Sequence, residues 1–185
     1  MSRADATKAR ILQAATDEFA MYGIAGARVD RIAKTAAANK NLIYVYFCSK
    51  EQLFDAVLDA HVTHGLDSVP FTPDNLPEYA GQIFDYCQQH PEVIRLATWH
   101  RLERPDRDPA GTSPAREAKL EALAAVQKES GLGSDFSPTA LLTLVLSIAL
   151  AWNPSNATSM PASATEAEST DDRRRAIVEA VRHLL

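Results

Sequence analysis

Lys40, Asn41, Leu42, Tyr44, Val45 and Tyr46 crowd into seven consecutive positions. Their chemistry fits a polyanion with readable edges. An ammonium and phenolic hydroxyls donate to phosphate oxygens, a carboxamide pairs with the donor and acceptor groups of a base, and apolar side chains meet thymine methyls. A helix this short cannot bury all six, so an outward face suited to a DNA major groove is predicted. Other reactive types are sparse. His61 and His64 stand one helical turn apart and could meet His100 around a metal, but no Cys or carboxylate accompanies them at ligand spacing; structural or solvent-facing histidines are expected, and no metal. Cys48 and Cys87 are too few and too distant for a disulfide framework or a metal cluster. Cys48 follows directly on the reading segment, where thiol modification could disturb contact, yet a bystander cysteine is the expectation. Gly-rich phosphate loops, nucleophile elbows and paired carboxylates are lacking from the sequence, so neither an enzyme nor a cofactor is expected.

Short helices joined by a turn must carry the reading segment. Val29, Ile32, Ala33 and Ala36 recur at i, i+3, i+4 and i+7, which gives one apolar stripe. Asn39 is the predicted N-cap of the next helix, and Ile43 and Phe47 lie one turn apart to dock it on the first. Upstream, Lys8, Ile11, Leu12, Ala15, Phe19 and Tyr22 keep helical intervals up to Gly23, a predicted C′ stop. Downstream, Ser49 and Gln52 form a capping box that opens a helix with Leu53, Val57, Ala60, His61 and His64 along one side.

Residues 6–66 resemble the DNA-binding domain of the tetracycline-repressor (TetR) family of bacterial transcriptional regulators. In that family a helix ending Ile-Ala leads to Ala-Gly-Val-Ser-Lys-Gly-Thr-Leu-Tyr-x-Tyr-Phe and then Ser-Lys-Glu-x-Leu. Ile32, Ala33, Lys40, Ile43, Tyr44, Tyr46, Phe47, Ser49, Lys50, Glu51 and Leu53 match in register. Ala37, Asn39, Asn41 and Leu42 replace the family's turn glycine, serine cap, second glycine and small threonine. Carried over by position, the resemblance implies that Tyr44, Lys50 and Arg28 hold phosphates. Lys40, Asn41, Leu42 and Val45 would face base edges, and Tyr46 could do either.

Charge agrees with a reading end. The chain carries formal net −5, yet residues 1–50 hold eight Lys and Arg against four Asp and Glu, a net of +4 that leaves −9 on residues 51–185. Phosphate would repel the acidic remainder and orient the molecule. No apolar run opens the chain as a secretory signal would, and Ala140 to Trp152 is shorter than the roughly 20 residues of a membrane span, so a cytoplasmic protein that meets no membrane is expected.

Beyond a Pro-rich connector at 65–77 the pattern stays helical. Helices are predicted over 76–90, 92–103, 115–129, 138–152 and 171–185, with loops at 104–114 and 153–170. The fold class expected is all-α: a helix-turn-helix domain at 1–50, a connecting helix at 51–66, and a helical domain at 67–185. For that last domain the resemblance implies effector binding and dimerisation. The expected pocket residues are Phe84, Cys87, Trp99, His100, Leu123 and Trp152, and the expected homodimer contact is a four-helix bundle of the helices at 138–152 and 171–185. The function so implied is a repressor that binds a palindromic double-stranded operator and is released by a small-molecule effector. A regulator governed by a protein partner, with no small-molecule pocket, is the alternative.

Overall fold

The computed structural model describes residues 3–63, 65, 68–106, 114–156 and 168–185. His64 and most of the loops expected at 104–114 and 153–170 lie outside these residues. The described helices are α1 (Arg3–Gly26), α2 (Val29–Thr35), α3 (Lys40–Phe47), α4 (Lys50–Leu58), α5 (Leu76–Gln89), α6 (Pro91–Glu103), α7 (Pro114–Ser130), α8 (Pro138–Ala149) and α9 (Thr170–Leu184). The protein is all-α, and α4 runs on into a π-helical turn at Asp59–Thr63.

Packing divides the chain into two compact units, Met1–Gly65 with Pro91–Pro109, and Leu66–His90 with Ala110–Leu185. The boundary expected at residue 66 therefore does not separate them cleanly. α6 joins the first unit because its Leu96 is buried in the same cluster as Ile11, Phe19, Ile32, Ile43, Leu53 and Phe54. Each such side chain gains about 1.5–3 kcal/mol on leaving water. Phe19 and Phe54 meet edge to face at 5.1 Å. The helix starts follow the sequence signals: the Asn39 side chain accepts from the Asn41 amide at 2.8 Å, and Ser49 Oγ accepts from Gln52 at 3.1 Å.

Gly23 differs from its predicted role. Its backbone has φ 69° and ψ −174°, but the chain resumes helical geometry to Gly26, so the residue makes a kink and not a stop. The cause is α6. Glu103 accepts from the Ile24 and Ala25 amides at 3.1 and 2.8 Å, and the Trp99 indole N–H donates to Ala20 O at 3.3 Å. These contacts satisfy backbone groups that a helix break strands.

In the second unit α5 packs chiefly on α9 and α8, and α7 on α8. Its buried side chains include Leu76, Tyr79, Ile83, Phe84, Leu123, Leu141, Val145, Ile177 and Val181. Arg174 of α9 bridges Glu78 and Asp85 of α5, each at 2.7 Å, directly above Gly81, where any Cβ would stand 3.0 Å from the guanidinium carbon. α8 stops at Ala149, short of the expected Trp152, where the C-cap Leu150 leaves helical geometry at φ −98° and ψ 8° and a turn follows. Only one face of α8 is buried; Ala140, Thr143, Leu144 and Ser147 are exposed.

Candidate nucleic-acid interface

α3 is two-faced. Ile43 and Phe47 are turned into the first unit's core, whereas Asn41, Tyr44, Val45 and Cys48, at i, i+3, i+4 and i+7, form an exposed strip with Lys40 and Leu42 beside it. Val45 is 72% and Tyr44 42% exposed, far more than apolar and aromatic side chains on a docked helix need be. Arg28 is exposed at the N-cap of α2. Tyr46 and Lys50 are half-buried: the Tyr46 ring meets Phe47 edge-on at 6.3 Å, and Lys50 Nζ donates to Ala27 O at 3.4 Å. Of the eight residues predicted to face DNA, six are therefore exposed at the α2 and α3 surface, and two reach it from anchored positions.

The electrostatics are set by pairs that spacing does not announce. The Lys40 ammonium stands 2.8 Å from the Asp30 carboxylate of α2, which holds it above the ordinary lysine range. Lys8 of α1 lies over the Phe47 ring, 5.7 Å from its centroid. Glu18, buried, accepts from the Arg28 amide at 2.8 Å and from Arg31 Nε at 2.8 Å. Arg31 also donates to Gly26 O at 3.0 Å and stacks on Tyr22 at 4.4 Å. Arg10 Nε donates to Ala36 O at 3.2 Å, where the turn between α2 and α3 begins. Glu18, Arg31, Arg10 and Asp30 were not among the residues expected at the site. One signal existed for Glu18: it continues the Ile11, Ala15 stripe of α1, and a carboxylate on an apolar stripe needs a partner.

The six expected pocket residues are divided between the units. Trp99 and His100 belong to the first, where the indole bonds Ala20 O and the imidazole stacks on Phe54 at 6.2 Å. Packing against the α1 kink and α4 accounts for both without a ligand. Phe84, Cys87 and Leu123 are buried in the second unit, and Trp152 is half-buried there. The second unit also has an open, mainly apolar cleft of about 320 Å³ bounded by Val69, Pro70, Phe71, Ala115, Ala118 and Lys119. Burial pushes the Cys87 thiol up to about 11, while Cys48 is exposed. His61 shares a 3.0 Å hydrogen bond with Thr16 and lies 3.9 Å from Glu92. Among the described residues no three metal-ligating side chains gather at one point, and no helix is long and apolar enough to cross a membrane.

Comparison with known proteins covers both units. A profile for bacterial regulatory proteins of the tetR family matches residues 11–57, and one for the tetracyclin repressor-like C-terminal domain matches residues 75–183. The chain is 39% identical over 150 residues to the HTH-type transcriptional repressor SCO4008 of Streptomyces coelicolor, which spans 80% of this chain and 78% of that protein. It is 33% identical over 110 residues to the HTH-type transcriptional repressor NicS of Pseudomonas putida, spanning 55% of this chain and 51% of that one. The solved structure of SCO4942 from Streptomyces coelicolor superposes with a TM-score of 0.77 at 36% identity, covering 96% of this chain and 97% of that one.

Proposed function

The chain belongs to the tetR family of bacterial regulatory proteins and is a DNA-binding transcriptional regulator; from that premise we propose that it is a repressor, held on a palindromic operator as a homodimer and released by a small-molecule effector. The observation that carries the reading is the α3 strip. A helix that buries Ile43 and Phe47 yet turns Tyr44 and Val45 to solvent keeps its apolar and aromatic surface for a partner. Leu42 and Val45 supply contacts to thymine methyls, Asn41 reads a base edge, and Lys40 exchanges Asp30 for the DNA. Arg28, Tyr44 and Lys50 hold phosphates, with Tyr46 behind them.

Repression is the activity named for SCO4008 and NicS, and it is the sign of regulation proposed here. The dimer forms through α8 and α9, which pack side by side and expose short or apolar side chains: Ala140, Thr143, Leu144 and Ser147 on one, Ala176 and Ala180 on the other. Two copies of such a pair complete a four-helix bundle. The two α3 helices then enter successive major grooves about 34 to 36 Å apart. The effector acts in the second unit, where Phe84, Cys87, Leu123 and Trp152 stand and the apolar cleft at Phe71 opens. It must bind the released state more tightly; moving the equilibrium from 1:99 to 99:1 takes about 5.5 kcal/mol of differential affinity.

The test uses a duplex that the wild-type chain selects from a randomised pool. Tyr44→Ala combined with Lys50→Ala should weaken binding and lower the slope of log affinity against log salt by about one unit for each phosphate no longer held. Unchanged affinity and slope would remove α3 and the start of α4 from the interface.

A further inference from the structure

We propose that Glu18 and Arg10 of α1 clamp the two ends of α2 and thereby set the presentation of α3, which makes both of them positioning residues for sequence-specific recognition. The proposal rests on the DNA-reading role of α3 given above.

α2 is seven residues long, too short to persist by its own hydrogen bonds. Every terminal amide and carbonyl of such a helix needs an outside partner. Its N-cap, Arg28, makes no side-chain cap bond. Glu18 supplies one from another helix by accepting from the Arg28 amide at 2.8 Å. At the other end Arg10 Nε donates to Ala36 O, the C-cap carbonyl, at 3.2 Å. A carboxylate thus stands at the N-terminus of α2 and a guanidinium at its C-terminus, the arrangement that opposes the helix dipole at both ends. Reach matches as well: eight residues of α1 rise about 12 Å, close to the roughly 10.5 Å length of α2.

Both ends are tied further. Glu18 is buried, and Arg31 holds its carboxylate at 2.8 Å through Nε. Arg10 also donates to Thr7 Oγ1 at 3.4 Å. Its acceptor, Ala36, immediately precedes Ala37, whose φ of 48° turns the chain toward Asn39 and the start of α3. The carbonyl that Arg10 holds therefore lies at the start of the turn that leads into the reading helix, a turn whose Ala37 and Ala38 amides also donate back to Lys34 O and Ala33 O of α2.

Non-specific binding sums charge and tolerates small misplacement, whereas base readout requires fixed geometry. A loosened α2 leaves only a fraction of molecules competent to read, and apparent operator affinity falls by that fraction. The clamp therefore acts on specificity more than on adhesion.

The experiment uses the full chain, the duplex selected by the wild type, and an unrelated duplex of equal length, each titrated across salt. Arg10→Met should lower affinity for the selected duplex about fivefold, one helix-end interaction of ordinary size, with affinity for the unrelated duplex and the salt slope unchanged. Arg10→Lys, which can still donate to Ala36 O, should restore most of the loss. Glu18→Gln removes a negative charge near DNA, so charge alone would tighten binding to both duplexes. The clamp instead requires weaker binding to the selected duplex only. Glu18→Gln keeps the side-chain shape and carries the test if Arg10→Met lowers the folded fraction seen by circular dichroism. Tighter binding of Glu18→Gln to both duplexes, or a loss on Arg10→Met shared by both duplexes with a slope lower by about one unit, would overturn the proposal. Failure of the wild type to select any duplex would instead remove the DNA-reading role beneath it.

Discussion

Gly23→Ala should be severely destabilising, and its cost follows from the geometry. At φ 69° and ψ −174° the residue occupies a region open essentially to glycine, which costs other residues about 1–3 kcal/mol. An added Cβ would collide with Glu103 Oε1 and stand 2.8 Å from Trp99 Cε3. The carboxylate can swing away, but it then abandons the Ile24 and Ala25 amides; the indole can move only by giving up its bond to Ala20 O. Hydrogen bonds to a charged group contribute about 1.5–3 kcal/mol, and the exposed Ala25 amide regains water, so the total expected is about 3–5 kcal/mol. Urea unfolding should be followed by Trp99 fluorescence in a Trp152→Phe background, since the chain has two tryptophans and this one reports on the first unit alone. Glu103→Ala alone should cost about 1–2 kcal/mol, and the double variant less than the sum, because the carboxylate clash is already gone. A loss below about 1 kcal/mol for Gly23→Ala would show that α6 does not lock the kink.

Three further outcomes can be checked with standard measurements. Leu144→Glu places a charge on the exposed face of α8 and should convert the proposed dimer to monomer in sedimentation velocity; a monomeric wild type, or a dimer mass that the variant keeps, would refute that contact. At pH 8 iodoacetamide should alkylate Cys48 and spare Cys87 in the native chain, because burial holds the Cys87 thiol neutral up to about 11. That shift also fixes a direction: the unfolded chain loses the Cys87 proton first, so the stability is complete below the ordinary thiol value and is lost as pH rises toward about 11. A Cys87→Ala variant should lack this alkaline decline.

Much of the first unit was legible because its signals are local. The Asn39 and Ser49 caps, the docking pair Ile43 and Phe47, and the outward strip of α3 all follow from intervals of two to seven residues. The partners that fix the site are distant in sequence and left little trace. Glu18 reaches the Arg28 amide ten residues on, Arg10 reaches Ala36 across 26, and Glu103 reaches Ile24 across 79. The sequence of α6 marks it as a helix but not which core it enters, so the helix was expected in the second domain while its Leu96 completes the first. The pocket suffered for the same reason. Trp99 and His100 have the residue types of a ligand site, but the α1 kink and Phe54 take them up. Phe84, Cys87 and Leu123 were identifiable as inward-facing, which helical spacing supplies.

The allocation of α6 to the first unit also constrains how the protein is made. Once Gly65 has left the ribosome every residue proposed to face DNA exists, yet the core still lacks Leu96, and the kink at Gly23 lacks Trp99 and Glu103. At bacterial elongation rates of about 5–20 residues per second, the segment from 66 to Arg104 takes on the order of seconds to emerge. Arg104 closes the unit last, donating to Asp55 and to Glu51 O at the start of α4. During that interval the apolar side chains of α1 to α4 lack the cover that Leu96 gives them. A truncated gene product ending near residue 66 would lack that cover permanently, keeping α3 without the helix that completes the core behind it.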